Sequence, residues 1–205
     1  MTETGHLYVI AAPSGAGKTS LVKALLAAEP QLALSVSHTT RPPRPNELNG
    51  REYHFVTPEV FAQRVLADDF LEHAQVFDNH YGTGREQVEA QLAAGRNVIL
   101  EIDWQGARQV RQARPDTRSI FILPPSLATL RQRLEGRATD SPQVIARRLA
   151  DAQGDMSHCL EFDYAVINDD FDRALADLQQ IIAGHGASLR ADRPELSPLL
   201  ANLLA

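Results

Sequence analysis

Short, continuously apolar runs along the chain are separated by stretches in which leucine and alanine recur at helical spacing. "LYVIAA" (7–12) is apolar throughout and gives way to a Pro/Ser/Gly turn, which reads as a short buried strand. "KTSLVKALLAAE" follows and predicts a helix that starts near Gly17 and ends before Pro30. "NVILEID" (97–103), "RSIFIL" (118–123) and "YAVIN" (164–168) read as three more buried strands. Amphipathic stretches such as "REQVEAQLAA" and "RALADLQQIIA" accompany them. Strands that lack polar alternation, interleaved with helices, predict an α/β fold with a parallel sheet covered on both faces.

Two segments break this rhythm. Residues 35–83 carry the short runs "SVSH", "YHFV" and "FLEHAQVF" around a Pro-rich loop, "RPPRPNELNG", and predict a small antiparallel insert. Residues 126–158 are arginine-rich and helical around the turn "GRATDSP", and predict a helical hairpin. The tail "LRADRPELSPLLANLLA" reads as a proline-punctuated link and a short leucine-bearing helix. That helix can cover its own core or a neighbour's, so an oligomer through the tail stays open.

Composition narrows the classes. A length of 205 residues suits one domain with small inserts. A net charge of −6 leaves no basic excess for a sequence-independent nucleic-acid binder. Cys159 is the single cysteine, so an internal disulfide and a C-x-x-C pattern are excluded, and a small core residue is the simpler reading. The first apolar run is too short for a membrane span and lacks a basic leader, so a cytoplasmic, reducing location is expected, with no membrane partner. The histidines show no H-x-x-x-H spacing, and no zinc is expected.

The candidate chemistry begins at "AAPSGAGKTS" (11–20), which matches the phosphate-loop pattern G-x-x-x-x-G-K-[ST] except that Ala12 stands at the first glycine. In such a loop, from Pro13, Ser14, Gly15, Ala16 and Gly17 to Lys18, Thr19 and Ser20, backbone N–H groups point at phosphate oxygens and the following helix adds partial positive charge. Gly15 and Gly17 let the backbone curl where a side chain would collide. Lys18 would reach the β- and γ-phosphates, and the Thr19 hydroxyl would ligate Mg²⁺. Alanine fits at position 12 if its φ is negative. The loop alone names a nucleoside triphosphate. In the insert, Arg41 and Arg44 flank two prolines with Tyr53 beyond them. A stiffened guanidinium pair suits a phosphate monoester, and a solvated basic loop is the bland alternative.

The succession "SVSHTTRPPRPNELNGREYHF", "FLEHAQVFDNHYGTGRE", "ILEIDWQGARQVR", "RSIFILPPS", "RLEGRATDS" and "VINDD" resembles the guanylate kinase family, the bacterial enzymes in particular, from about Gly5 to about Gly184. The resemblance implies a three-layer α/β/α P-loop core (1–36, 84–125 and 159–184), a mixed α+β GMP-binding insert (37–83), a helical lid (126–158) and a tail outside it (185–205). It implies transfer of a phosphoryl group from ATP to GMP with Mg²⁺. Ser37, Arg41, Arg44, Tyr53 and Tyr81 match positions around GMP, the arginines and tyrosines on its phosphate. Glu72 matches the carboxylate that reads guanine, Thr83 a residue contacting the base, and Asp103 an acid near the base. Arg137 and Arg148 match lid arginines, and Asn168 a residue near the adenine of ATP.

These residue types suit the reaction. Guanine offers a ring N–H and an amine to a carboxylate such as Glu72, whereas adenine turns a lone pair toward it. The attacking phosphate oxygen is already ionised, so catalysis is positioning and charge neutralisation, shared among Lys18, Arg41, Arg137, Arg148 and Mg²⁺. Two positions depart from the family pattern: Glu101 replaces an aspartate in "D-I-D", and His80 replaces a tyrosine in "NYYGT". The rival readings are another P-loop monophosphate kinase and a non-catalytic phosphopeptide-binding module of the same fold. The retained Lys18 and Thr19 and the arginines speak against the second.

Overall fold

The computed structural model describes residues 4–76, 78–136 and 142–205. Its larger sheet has five strands: β1 (Leu7–Ala11), β2 (Leu32–Leu34), β7 (Asn97–Glu101), β8 (Arg118–Leu123) and β9 (Tyr164–Ile167), in the order β2-β7-β1-β8-β9. A smaller sheet of β3 (His38–Thr39), β4 (His54–Phe55), β5 (Phe70–Val76) and β6 (Asn79–Gly84) has the order β4-β3-β6-β5. The helices are α1 (Lys18–Ala28), α2 (Pro58–Leu66), α3 (Arg85–Ala93), α4 (Trp104–Ala113), α5 (Leu127–Glu135), α6 (Pro142–Met156), α7 (Phe171–Ile182) and α8 (Ser197–Leu204). The chain divides into two compact units, one running to Val9 and then Pro30–Arg118, the other Ile10–Glu29 with Ser119–Ala205.

In the first unit β2 pairs in parallel with β7, Leu32 opposite Asn97 and Leu34 opposite Ile99. The hydropathy pattern missed β2, which is three residues long and too short to show a period. Val9, Val98 and Ile99 are fully buried, as the unbroken apolar runs require, and each such side chain contributes about 1.5–3 kcal/mol relative to exposure. Tyr8 is also fully buried, and its hydroxyl accepts from Arg118 Nη1 at 3.0 Å.

The insert departs from a purely antiparallel sheet. β3–β6 and β5–β6 are antiparallel, but β3 and β4 run parallel, joined by the long Pro-rich loop. The sheet is therefore mixed, since a connection of that length can return a strand in either direction. Helix α2 also lies in this segment, capped by the Thr57 hydroxyl, which accepts from Val60 N at 3.3 Å.

In the second unit β8 and β9 pair in parallel, Ile120 opposite Tyr164 and Leu123 opposite Ile167. Asp163, just before β9, accepts from Ser119 N at 2.8 Å and from the Ser119 hydroxyl at 2.7 Å, which fixes that register. Helices α5 and α6 form the arginine-rich pair. The tail packs on this same unit. Arg193 Nη1 donates to Ala165 O at 3.0 Å, Gln153 Nε2 to Leu203 O at 3.4 Å, and Leu196, Leu200 and Leu203 are buried. Among the described residues no helix is long and apolar enough to cross a membrane.

Candidate active site

The phosphate loop lies in the second unit between β1 and α1. Gly15 and Gly17 have φ of 91° and 93°, the left-handed region where a side chain is strained. Space is short as well. A Cβ on Gly15 would meet Leu130 Cδ1 at 3.0 Å, and one on Gly17 would collide with the Asn168 amide nitrogen. Ala12 is not among the residues with positive φ, so its Cβ costs nothing there. Gly17 is the N-cap of α1, no side chain caps it, and no acid lies in the first turn, which leaves an anion-accepting helix end. Lys18 opens the helix half-buried, with Ser14, Thr19 and Ser20 exposed around it.

Asn168 packs directly against the loop. It is buried, and its side-chain amide donates to Ala16 O at 2.7 Å. Its own carbonyl accepts from Arg133 Nη2 at 2.9 Å. Sequence reasoning missed Arg133, because a helical arginine ordinarily reads as solvated. Arg148 is half-buried on α6, and Arg137 falls outside the described residues.

The second cluster lies in the first unit. Strand β5 is irregular between Phe70 and Glu72, so Phe70, Leu71 and Glu72 are all buried where strict alternation would expose one of them. Glu72 stands opposite Thr83 on β6, and the Thr83 hydroxyl, fully buried, donates to Glu72 Oε1 at 2.6 Å. Burial pushes the Glu72 carboxyl up to about 7, with the negative charge of Asp103 adding to the effect and the Thr83 hydrogen bond opposing it. Asp103 caps α4 by accepting from Gly106 N at 2.8 Å. It does its structural work while staying beside Glu72.

Arg41 lies in the Pro-rich loop, near the faces of Tyr53 (5.5 Å) and Phe55 (5.8 Å). Its Nη2 donates to both oxygens of Glu47, at 2.9 and 3.0 Å, and Nη1 to Pro42 O at 2.8 Å. The Arg41 hydrogen bond holds the Glu47 carboxyl below the usual range. Glu47 went unnoticed in the sequence; a lone acid six residues past Arg41 in a basic loop was the available signal. Tyr53 and Tyr81 meet edge to face at 5.9 Å. Burial raises the Tyr53 phenol, and the charge of Glu101 adds to it. The structure thus gathers Arg41, Tyr53 and Tyr81, while the Arg44 side chain is exposed and only its backbone N–H joins in, donating to Glu47 Oε2 at 2.7 Å. Ser37 is half-buried, its carbonyl accepting from His54 N at 2.9 Å. His80 is exposed and stacks on Phe61 at 5.4 Å.

A parallel sheet with a Gly15/Gly17 loop between its first strand and helix defines a nucleotide-binding protein of the P-loop class. Residues 4–185 match the sequence model of the guanylate kinase family. The chain is 57% identical over 200 residues to the guanylate kinase of Alkalilimnicola ehrlichii, covering 98% of each. It is 52% identical over 203 residues to that of Escherichia coli K12, again covering 98% of each, so the likeness extends into the tail beyond the expected limit near residue 184. The solved structure of guanylate kinase from Anaplasma phagocytophilum superposes with a TM-score of 0.75 at 32% identity, covering 97% of this chain and 95% of that one. This chain belongs to the guanylate kinase family.

Proposed function

We propose that the phosphoryl transfer from ATP to GMP, the reaction of this family, is carried in this chain by two residue sets. The first is the loop Pro13–Ser20, with Lys18 on the β- and γ-phosphates and Asn168 on the adenine side. Magnesium held mainly by phosphate oxygens and water asks little of a protein, and the Thr19 hydroxyl, exposed in the first turn of α1, fits that demand. When bound, the ion neutralises phosphate charge. The second set is the insert: Ser37, Arg41, Arg44, Tyr53 and Tyr81 for the GMP phosphate, and Glu72, Thr83 and Asp103 for the base. Arg41 would exchange the two oxygens of Glu47 for two of the phosphate, an anion of matching geometry. Arg137 and Arg148 of the lid (126–158) would share the charge on the transferring group. No general base is required, because the attacking oxygen is already ionised.

The observation that supports this reading best is the buried carboxyl of Glu72. Ionised and without a base it is poorly solvated, and guanine brings two adjacent donors to it, whereas adenine would bring a lone pair. A site of this kind discriminates by roughly 10⁴-fold. The test is a coupled assay of ADP formation with ATP and Mg²⁺ against GMP, AMP, UMP and dTMP in parallel. Turnover with GMP alone is expected; equal turnover with AMP would end the guanine reading. The enzyme is assigned to the cytoplasm, where both nucleotides are available. Burial pushes the Cys159 thiol up to about 12 and leaves it unreactive. Association of copies through the tail would use exposed positions such as Leu204, because Leu196, Leu200 and Leu203 are already buried in their own chain.

A further inference from the structure

Gly106 lies in the third residue of α4, a helix whose first turn faces Glu72. A Cβ built on Gly106 would stand 2.6 Å from Glu72 Oε2, 3.2 Å from Glu72 Cδ and 3.2 Å from Ile102 Cδ1. The first of these separations is shorter than any ordinary carbon–oxygen contact, so the absence of a side chain is what admits the carboxylate. The helix is tied to the strand that carries Glu72. One turn further on, Gln109 binds edge strand β5 like an added strand: its Oε1 accepts from His73 N at 3.1 Å and its Nε2 donates to His73 O at 2.8 Å. Gly106 N also donates to Asp103 Oδ1 at 2.8 Å, the cap that fixes the first turn of the same helix. The Gln109 pair thus ties this part of the helix to β5, and the group able to yield is the far end of the Glu72 side chain.

We infer that Gly106 is a specificity-determining residue for the monophosphate substrate: its bare Cα is the wall against which the Glu72 carboxylate is seated, and a methyl group there displaces Oε2 from the position in which it meets guanine. Gly106 touches no substrate atom in this account. It is a positioning residue that acts through Glu72. The inference rests on the guanine reading of Glu72 given above. A glycine at this place also lowers helix propensity, so Gly106→Ala improves the intrinsic helix preference.

The experiment measures kcat and KM for GMP and AMP, KM for ATP, and Tm, for the wild type, Gly106→Ala, Glu72→Ala and the double variant. Gly154→Ala serves as control, because nothing lies within 4 Å of a Cβ added there. Misplacement of a reading group by about 1 Å costs up to about 10²-fold, so Gly106→Ala should lower the GMP-to-AMP ratio of kcat/KM by about 10- to 10²-fold. The loss should appear chiefly in the KM for GMP, with the KM for ATP and the Tm near wild type. In the Glu72→Ala background the added methyl finds vacated space, so Gly106→Ala should change the ratio little, a non-additivity expected of two groups in contact. Gly154→Ala should leave the ratio as it was. A Gly106→Ala variant that does not fold, beside a double variant that does, would locate the same clash at Glu72. Failure of both to fold would overturn the inference. So would a wild-type ratio in Gly106→Ala when Glu72→Ala has collapsed it. A wild-type ratio in Glu72→Ala itself would remove the guanine reading, and this inference with it.

Discussion

The loop at 12–20 and the insert at 37–83 are built on opposite principles. The loop is made of backbone. Its anion-facing character comes from two glycines at positive φ and from a helix end that no side chain caps, and the parts are adjacent in sequence. The insert is made of side chains drawn from distant positions. Glu72 takes its hydrogen bond from a residue 11 positions away, and Gly106, which limits its carboxylate, comes from helix α4, beyond the insert. A loop of the first kind accepts any phosphate of the right size. A cluster of the second kind can tell one base from another, because a single misplaced polar atom is left unpaired in a dry site.

The largest effect expected from breaking one side of this comparison is Lys18→Ala. Removing one preorganised charge from a transferring phosphoryl group costs about 10²–10³-fold in kcat. The fold should persist, since Lys18 is only half-buried at the start of α1. Base preference should be unchanged, because the base-reading role proposed above belongs to the insert. Single-turnover rates with GMP and AMP check both parts, and near-normal kcat would remove Lys18 from catalysis.

A smaller effect is expected at Asn168. Asn168→Ala deletes the amide that holds Ala16 O at 2.7 Å and leaves that buried carbonyl without its side-chain partner. Loosening the loop in this way should lower kcat/KM for ATP by about tenfold, within the range that small misplacements produce. The ratio of GMP to AMP turnover should stay put. A shifted ratio would mean that loop and base site are not separable as described here.

The difference in construction also governs what could be read from the sequence. The spacing of Gly15, Gly17, Lys18 and Thr19 behind an apolar run was enough to locate the loop, because all its determinants are local. Four of the five sheet strands were legible for the same reason, as unbroken apolar runs; β2 was too short to carry a period. The parallel β3–β4 pair was not legible, since strand direction depends on the path of a long loop. Glu72 in "FLEHA" has the pattern of a solvent-facing carboxylate, and only the irregularity after Phe70 turns it inward. Resemblance to a family supplied its role, whereas neither pattern nor resemblance pointed to Gly106, Glu47 or Arg133. Gly106 is defined by a side chain it lacks and Arg133 by a partner 35 positions away, whereas Glu47, only six residues past Arg41, reads as one more charge in a solvated loop.

The smallest predicted effect concerns the protonation of Glu72 and separates the insert from the loop by pH. The folded state raises this carboxyl from 4.5 to about 7. Between those values the folded protein holds a proton that the unfolded chain has released. The resulting stabilisation is fully present below pH 4.5 and is lost as pH rises through 7. His38 has the opposite sign. Burial, with Arg64 and His54 adjoining, lowers it from 6.5 to about 4. Its contribution is full above pH 6.5 and is lost as pH falls through 4. Glu72→Gln removes the first contribution alone while keeping an oxygen to accept from Thr83. The variant should therefore gain Tm over the wild type at pH 8 without substrate, at about 2–4 °C per kcal/mol for a chain of this size, and gain little at pH 5. Saturating GMP should narrow the difference at pH 8, because guanine donors stabilise the ionised carboxylate of the wild type and do not do so for the amide. Equal Tm differences at pH 5 and pH 8 would mean that Glu72 is already ionised in the empty site, and that the donors holding it so belong to the protein and not to the base.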